Sequence, residues 1–319
     1  MKLYPLTFKP IFKERIWGGT KLKDILNKSF DGNNIGESWE LSTVANDVSV
    51  VSNGGFAGLS LNELIEKYPT ELLGSKSIEE FGLEFPLLFK FLDAKEDLSI
   101  QVHPNDELAK QRHNSFGKTE MWYVMQADEK ARLVVGFKNK TNKKDYLIHL
   151  EDKTLVGILN ETSVKKGDTF FLETGTVHAI GAGVLIAEIQ QTSDITYRLY
   201  DWDRVDVDGN GRELHNDLAV EAINYEETNT KVQYQKETNE SVNLVTCPFF
   251  TTNILEVSGN YNWKKKNESF TVLMCTEGDF ALVTSNFKAE FQKGDTILIP
   301  AIMDEFQIIG ETSLLEITI

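Results

Sequence analysis

Short apolar runs bounded by Gly, Pro, Asn and Asp dominate this chain, and most carry the period-two pattern of strands. Strand signals stand at V-S-V-V (48–51), F-P-L-L-F-K-F-L-D (from 85), E-M-W-Y-V-M (from 120), A-R-L-V-V-G-F (from 131) and V-L-I-A-E-I (from 184). Helical signals are few and short. Ser60 and Glu63 form a capping box ahead of L-I-E-K-Y, which must stop before Pro69. Asn105 can cap D-E-L-A-K-Q-R-H, and Asn216 can cap D-L-A-V-E-A-I-N-Y. Residues 226–241 are polar with no apolar stripe, so a domain join is placed there, dividing the chain into 1–240 and 241–319.

The pattern also repeats. K-G-D-T-F-F-L-E-T-G-T-V-H-A-I begins at Lys166, and K-G-D-T-I-L-I-P-A-I-M-D-E-F-Q-I begins at Lys293. Aligned without a gap, His178 falls opposite Glu305. The strands ahead of each copy correspond loosely as well. Two copies of one β-barrel unit explain this better than convergent Gly-Asp turns do. The second copy lacks the His, which predicts that any metal binds in the first copy only.

That metal is suggested by L-S-I-Q-V-H-P, residues 98–104. Gln101 and His103 alternate with Ile100 and Val102, so on a strand both leave the same face. Glu120 in G-K-T-E-M-W-Y-V and His178 in T-G-T-V-H-A-I complete a mixed nitrogen and oxygen set. Such a set suits a borderline divalent ion, most plausibly zinc, one per chain. A lone strand His is usually a satisfied core or surface group. Here two of the five His sit in apolar, Gly- and Pro-punctuated strands with a Glu between them, which favours the metal.

Composition narrows the partners. Asp plus Glu is 49 against Lys plus Arg 33, a net charge of −16, which argues against nucleic acid or an anionic membrane as the main partner. The first residues show no secretory leader pattern, and no apolar run approaches a membrane span. Cys247 and Cys275 stand in no metal or redox spacing and read as core thiols of a reducing compartment, so the cytoplasm is expected. Monomer and homodimer stay equally open.

Several segments together resemble the short bacterial form of the type I mannose-6-phosphate isomerase (phosphomannose isomerase) family. They are F-K-E-R-I-W-G-G from Phe12, G-E-S-W-E-L-S from Gly36, L-L-F-K-F-L-D-A-K-E-D-L-S-I-Q-V-H-P-N-D from Leu87, G-K-T-E-M-W-Y from Gly117, G-T-V-H-A-I-G-A-G from Gly175 and E-I-Q-Q-T-S-D-I-T-Y-R-L-Y-D-W from Glu188. The resemblance implies a mainly β protein. It would have two cupin (jelly-roll) domains, with short helices inserted in the N-terminal part and a smaller second domain. It implies zinc on Gln101, His103, Glu120 and His178, an active-site Arg at Arg198, and a phosphosugar substrate. The chain has no room for the large helical domain of the long eukaryotic form.

Aldose–ketose isomerisation needs a charge stabiliser at the oxygens, a base for the carbon proton and a grip on the phosphate. For the phosphate the candidates are Arg198, Lys90 and Lys118, with Ser99 on the same strand face as Gln101. Arg198 could instead pair with Asp194 or Asp201. The base is open among Glu37, Glu40, Glu188, Asp194 and Lys118; Arg198, Lys118 and Glu188 are taken as the catalytic group. Asp194, Glu40 and Trp17 are expected around the substrate, and Trp17 and Trp39 either wall the pocket or pack the core. D-V-D-G-N-G from Asp206 resembles a calcium loop with Asp217 at its twelfth place. The twelfth ligand is not Glu and a strand-like run precedes it, so a hairpin loop explains it better. Two rival readings remain beside the zinc isomerase. One is an iron-dependent cupin oxygenase, since two His and a Glu also make a facial triad. The other is a sugar-binding cupin without turnover.

Overall fold

The computed structural model describes residues 2–205 and 208–319. Asp206 and Val207, which open the D-V-D-G-N-G loop, lie outside the described residues. The fold is mainly β. The unbroken apolar runs become strands covered on both faces. Leu87–Ala94, Val184–Gln191 and Glu120–Ala127 are antiparallel neighbours in a seven-stranded sheet, with Ile35–Leu41 beside the first. One face of this sheet carries Phe89, Phe91, Met121, Tyr123, Leu185, Ala187 and Ile189. They pack on Ile254, Phe270, Val272, Met274, Leu315 and Ile317 of the C-terminal lobe in one apolar cluster.

The other face looks across at a five-stranded sheet. Its strands run in the order Tyr197–Tyr200, Ile100–Val102, His178–Ile180, Arg132–Phe137 and Leu159–Ser163. Trp17, Leu92, Leu98, Trp122, Leu133, Phe170 and Ile180 fill part of the space between the sheets. The helices Lys143–Glu151, Leu155–Ile158 and Asn216–Ala222 cover the back of the smaller sheet through Tyr146, Leu155 and Ala219. The candidate ligands Gln101, His103, Glu120 and His178 stand on the strands that bound the remaining space between the sheets, His103 directly after the end of its strand.

In the C-terminal lobe the long strands Thr251–Lys264, Thr271–Val283 and Glu305–Thr318 form a six-stranded sheet with their neighbours. Its inner face is filled by Leu255, Trp263, Leu273, Cys275, Phe280, Leu314 and other apolar side chains. The repeated K-G-D-T turns have matching geometry. Gly167 and Gly294 sit at φ +88° and +93°, a region open to Gly and costly for other residues. Asp168 Oδ2 accepts from Lys165 N at 3.0 Å, and Asp295 Oδ2 accepts from Gln292 N at 2.8 Å. Glu305, opposite His178 in the alignment, is exposed.

The Ser60–Glu63 capping box and the Asn105 cap are present. The third cap shifts by one. Asn216 is the first residue of its helix and His215 precedes it as the cap. His215 is held outside the helix because its backbone N donates to Arg198 O at 2.7 Å, and its Nδ1 accepts from Arg198 N at 3.1 Å. V-S-V-V forms no extended strand. Its backbone partners are divided among Lys9, Ser42 and Leu59, so it makes isolated bridges only. The polar stretch after residue 226 contributes Lys231–Val232 as an edge strand beside Thr169–Leu172. Among the described residues no helix is long and apolar enough to cross a membrane.

Candidate active site

Sheet register brings the candidate ligands together. Gln101 pairs directly with His178, and Arg198 pairs with Gln101 on the other side. Glu120 opens a strand of the opposing sheet, so the cluster bridges the two sheets. His178 Nε2 lies 3.4 Å from Glu120 Oε1, His103 Nε2 lies 3.7 Å from Glu120 Oε2, and Gln101 Nε2 lies 3.2 Å from His178 Nε2. Turning the Gln101 amide by half a revolution presents its oxygen at the same place. The ligand atoms of His103, Glu120 and His178 all fall within 4.8 Å of one another.

The donor set fits a divalent ion. His103 Nδ1 is bonded to Ile195 O at 2.8 Å and His178 Nδ1 to Thr176 O at 2.8 Å. These bonds fix each ring with its Nε2 turned to the cluster, the outer-shell arrangement that metal-binding imidazoles use. Burial, helped for His103 by the nearby Lys118 charge, holds both rings well below the usual imidazole pKa, with His178 down to about 4. They are therefore neutral, as ligands must be. Glu120 Oε1 is buried without a hydrogen-bond partner, an expensive state for a carboxylate oxygen that a cation relieves. The Lys118 ammonium bonds Glu120 Oε2 and sits 3.1 Å from His103 Nε2, which marks the cluster as a place for positive charge.

The cluster opens into a cavity of about 430 Å³ whose wall includes Gln101, Lys118, Lys90, Glu188, Arg198 and Ser99. Lys90 and Glu188 face each other in register on adjacent strands, 3.2 Å apart, and Trp122 Nε1 donates to Glu188 at 2.9 Å. Burial alone would raise the Glu188 pKa, but Lys118 and Lys90 outweigh it and hold it far below the carboxylate range. Lys118 is likewise kept protonated: Glu120 and Glu188 overcome the desolvation that opposes its charge. Glu37 binds Arg15 at 2.7 Å and accepts from Trp39 Nε1 at 2.6 Å.

Trp17 and Trp39 both line the cavity while also being buried in the protein. Asp194 lies exposed at the rim. Arg198 is half-buried, donates to Ser99 Oγ at 3.3 Å and to Glu213 O at 2.8 Å, and has no ion pair among the described residues. Asp201 does not take it, being held by Arg204 and Arg212. Glu40 is not brought to the cavity. It leaves the opposite face of its strand from Glu37, where it meets Lys28 Nζ at 2.7 Å and Ser38. Arg15 and Arg212 line the cavity and were not among the sequence candidates. Arg15 stands in the F-K-E-R-I-W-G-G segment, two residues before Trp17, which was the available signal.

Comparison with known proteins shows the family. Residues 6–139 match the family model "Phosphomannose isomerase type I, catalytic domain", and residues 240–319 match "Mannose-6-phosphate isomerase, cupin domain". Mannose-6-phosphate isomerase ManA of Bacillus subtilis is 40% identical over 97% of this chain and 97% of its own length. The chain belongs to the type I mannose-6-phosphate isomerase family. Within the family, the crystal structure of mannose 6-phosphate isomerase from Bacillus subtilis superposes with a TM-score of 0.91 at 34% identity, covering 99% of this chain and 100% of that one. A mannose 6-phosphate isomerase structure bound with zinc and yttrium shares the fold at a TM-score of 0.80 and 17% identity, covering 99% of each chain.

Proposed function

We propose that this enzyme interconverts mannose 6-phosphate and fructose 6-phosphate with a zinc ion held by Gln101, His103, Glu120 and His178. One observation carries the reading. A buried carboxylate oxygen without a hydrogen-bond partner, Glu120 Oε1, stands with two neutral imidazoles behind Gln101 and Lys118, which line a cation-rich cavity. Zinc, when bound, supplies a Lewis acid for the oxygens at C1 and C2.

This chain's own groups do the rest. Lys118, kept as an ammonium, stabilises negative charge that develops on a sugar oxygen through a cis-enediol. Glu188 holds Lys118 and Lys90 in place, and with its pKa so depressed it is a weak base. Glu37 is tied to Arg15 and Trp39. Asp194 is the cavity carboxylate with no ion pair among the described residues, so we assign the carbon proton to it. Arg198, steadied by Ser99 and the Glu213 carbonyl, presents its remaining N–H donors to the phosphate. Lys90 and Lys118, each satisfied by carboxylates, take a smaller share of that grip than their charge alone suggested.

The same reading treats residues 1–240 and 241–319 as two cupin domains, the second without a metal because apolar side chains occupy its interior. It sets the enzyme in the cytoplasm, in keeping with two unpaired cysteines. A coupled assay for fructose 6-phosphate tests it, run on mannose 6-phosphate and on mannose. Phosphate supplies remote binding energy that positions C1 and C2, so turnover is expected with the phosphorylated sugar and little without it. Equal kcat/KM for the two sugars overturns the assignment.

A further inference from the structure

The cations of the cavity differ in how far they are neutralised. Lys118 and Lys90 are held by Glu120 and Glu188, and Arg15 by Glu37. By contrast, Arg198 has no carboxylate partner among the described residues; Arg204 and Arg212 both bond Asp201, and Arg204 also lies 4.0 Å from the exposed carboxylate of Glu96. Of the two that line the cavity, Arg198 and Arg212, only Arg212 meets a carboxylate among the described residues, and it shares that one, Asp201, with Arg204. A sugar phosphate carries close to two negative charges at neutral pH. The larger groove beside the cavity, about 810 Å³, offers Glu66, Glu84, Asp194 and His113 and, among the described residues, no Lys or Arg, which is the wrong charge for a phosphate.

Arg212 and Arg204 differ in one respect. Both bond Asp201, but Arg212 lines the substrate cavity with Arg198, whereas Arg204 lines a separate shallow depression with Lys95, Glu96 and Trp202. Asp201 is only 5% exposed, and its chain is turned sharply by Trp202 and Asp203, both at positive φ. Trp202 Nε1 is anchored on Leu98 O at 2.8 Å. Asp201 is therefore a fixed post, and Arg212 is held against it through Nε at 2.7 Å and through Nη2. That leaves the other amino group of the fork free of any bond to Asp201.

We propose that Arg212 is the second cation of the phosphate grip, paired with Arg198, and that Asp201 is the positioning residue that sets its guanidinium at the cavity wall. This rests on the isomerase reading and extends it by naming the groups that select a phosphorylated substrate. Arg204, fixed by the same carboxylate but outside the cavity, is the internal control.

The test compares the parent, Arg212→Gln, Arg212→Lys and Arg204→Gln. The readouts are kcat and KM for mannose 6-phosphate and the affinity for inorganic phosphate by calorimetry. Loss of a charge-assisted contact made alike in ground and transition states raises KM with little change in kcat. Arg212→Gln should therefore raise KM and the phosphate Kd by about 10- to 100-fold at near-parental kcat. Arg212→Lys, which keeps the charge without the fork, should fall between the two and secures the reading if the Gln variant folds poorly. Arg204→Gln should match the parent. Parental KM and phosphate affinity in both Arg212 variants overturn the proposal, as does an Arg204→Gln defect equal to that of Arg212→Gln. A parent without isomerase turnover indicts the isomerase reading instead, because phosphate affinity is measured without it.

Discussion

Replacing Arg198 by lysine keeps the charge and removes the fork, which makes the role of this side chain measurable. The guanidinium spends Nε on Ser99 and Nη1 on the Glu213 carbonyl, leaving the rest of its planar edge for an anion. A lysine ammonium cannot hold both anchors and still present two parallel donors. One lost charge-assisted contact of this kind corresponds to roughly 2–4 kcal/mol in the transition state, or about 30- to 1,000-fold in kcat/KM. The cost in stability is smaller. Two ordinary hydrogen bonds at a half-buried site contribute about 1 kcal/mol each, and part of that is regained by water. Metal content should be unchanged, since Arg198 neighbours Gln101 in register but none of its bonds goes to a ligand side chain. Steady-state kinetics, metal analysis and thermal melting on the single variant read all three. Near-parental turnover would refute the reasoning and leave Arg198 as a structural group that ties its strand to Ser99.

Other substitutions separate the remaining roles. His178→Ala removes one imidazole from the cluster and strands Glu120, so bound metal per chain should collapse; stoichiometric metal in this variant would remove His178 from the ligand set. Asp194→Asn should lower kcat by about 10²- to 10⁴-fold with intact metal content if it carries the proton, and an unaltered kcat would return that task to another group. In the second lobe, Glu316 is buried and bonded by Trp263, Ser241, Asn253 and Lys266. Burial opposes its ionisation, but Lys266 and the hydrogen bonds more than reverse this, so its folded pKa lies below the usual value. A depressed carboxyl stabilises fully above its unfolded pKa of about 4.3 and ceases to do so as pH falls through its folded value. The gap in melting temperature between the parent and Glu316→Gln should therefore be constant near neutrality and close on acidification below about pH 4.3. A gap that does not change with pH would show that the charge of Glu316 contributes nothing.

Gln101 and His103 were legible because a strand has period two and the residues between them are apolar. The paired K-G-D-T turns were legible because the same four residues recur, with Gly at a φ near +90° that favours it in both. Glu37 and Glu40 show where legibility stopped. Alternation puts them on opposite faces, but all seven residues of Ile35–Leu41 are buried, so no polar face says which side looks into the barrel. Only the packing of Trp39 and Lys90 decides it, and that depends on a strand some fifty positions away. V-S-V-V failed as a strand for a related reason: its composition suits a sheet, but its partners are three separate segments. Arg212 was hidden because its meaning depends on Asp201, whose own partners follow from a turn at Trp202 and Asp203 that no local pattern announces. Hydrophobic pattern thus indicated the strands and the ligand face. The charge balance of the cavity came from long-range register.

The central claim is that one metal centre in the first barrel runs the isomerisation. It is tested most directly by stripping the purified protein of metal and titrating zinc back while following fructose 6-phosphate formation from mannose 6-phosphate. Activity should be absent without metal, rise in proportion to bound zinc, and level off at about one ion per chain. Full turnover in the stripped protein, or one tightly bound zinc per chain with no turnover, would contradict the account.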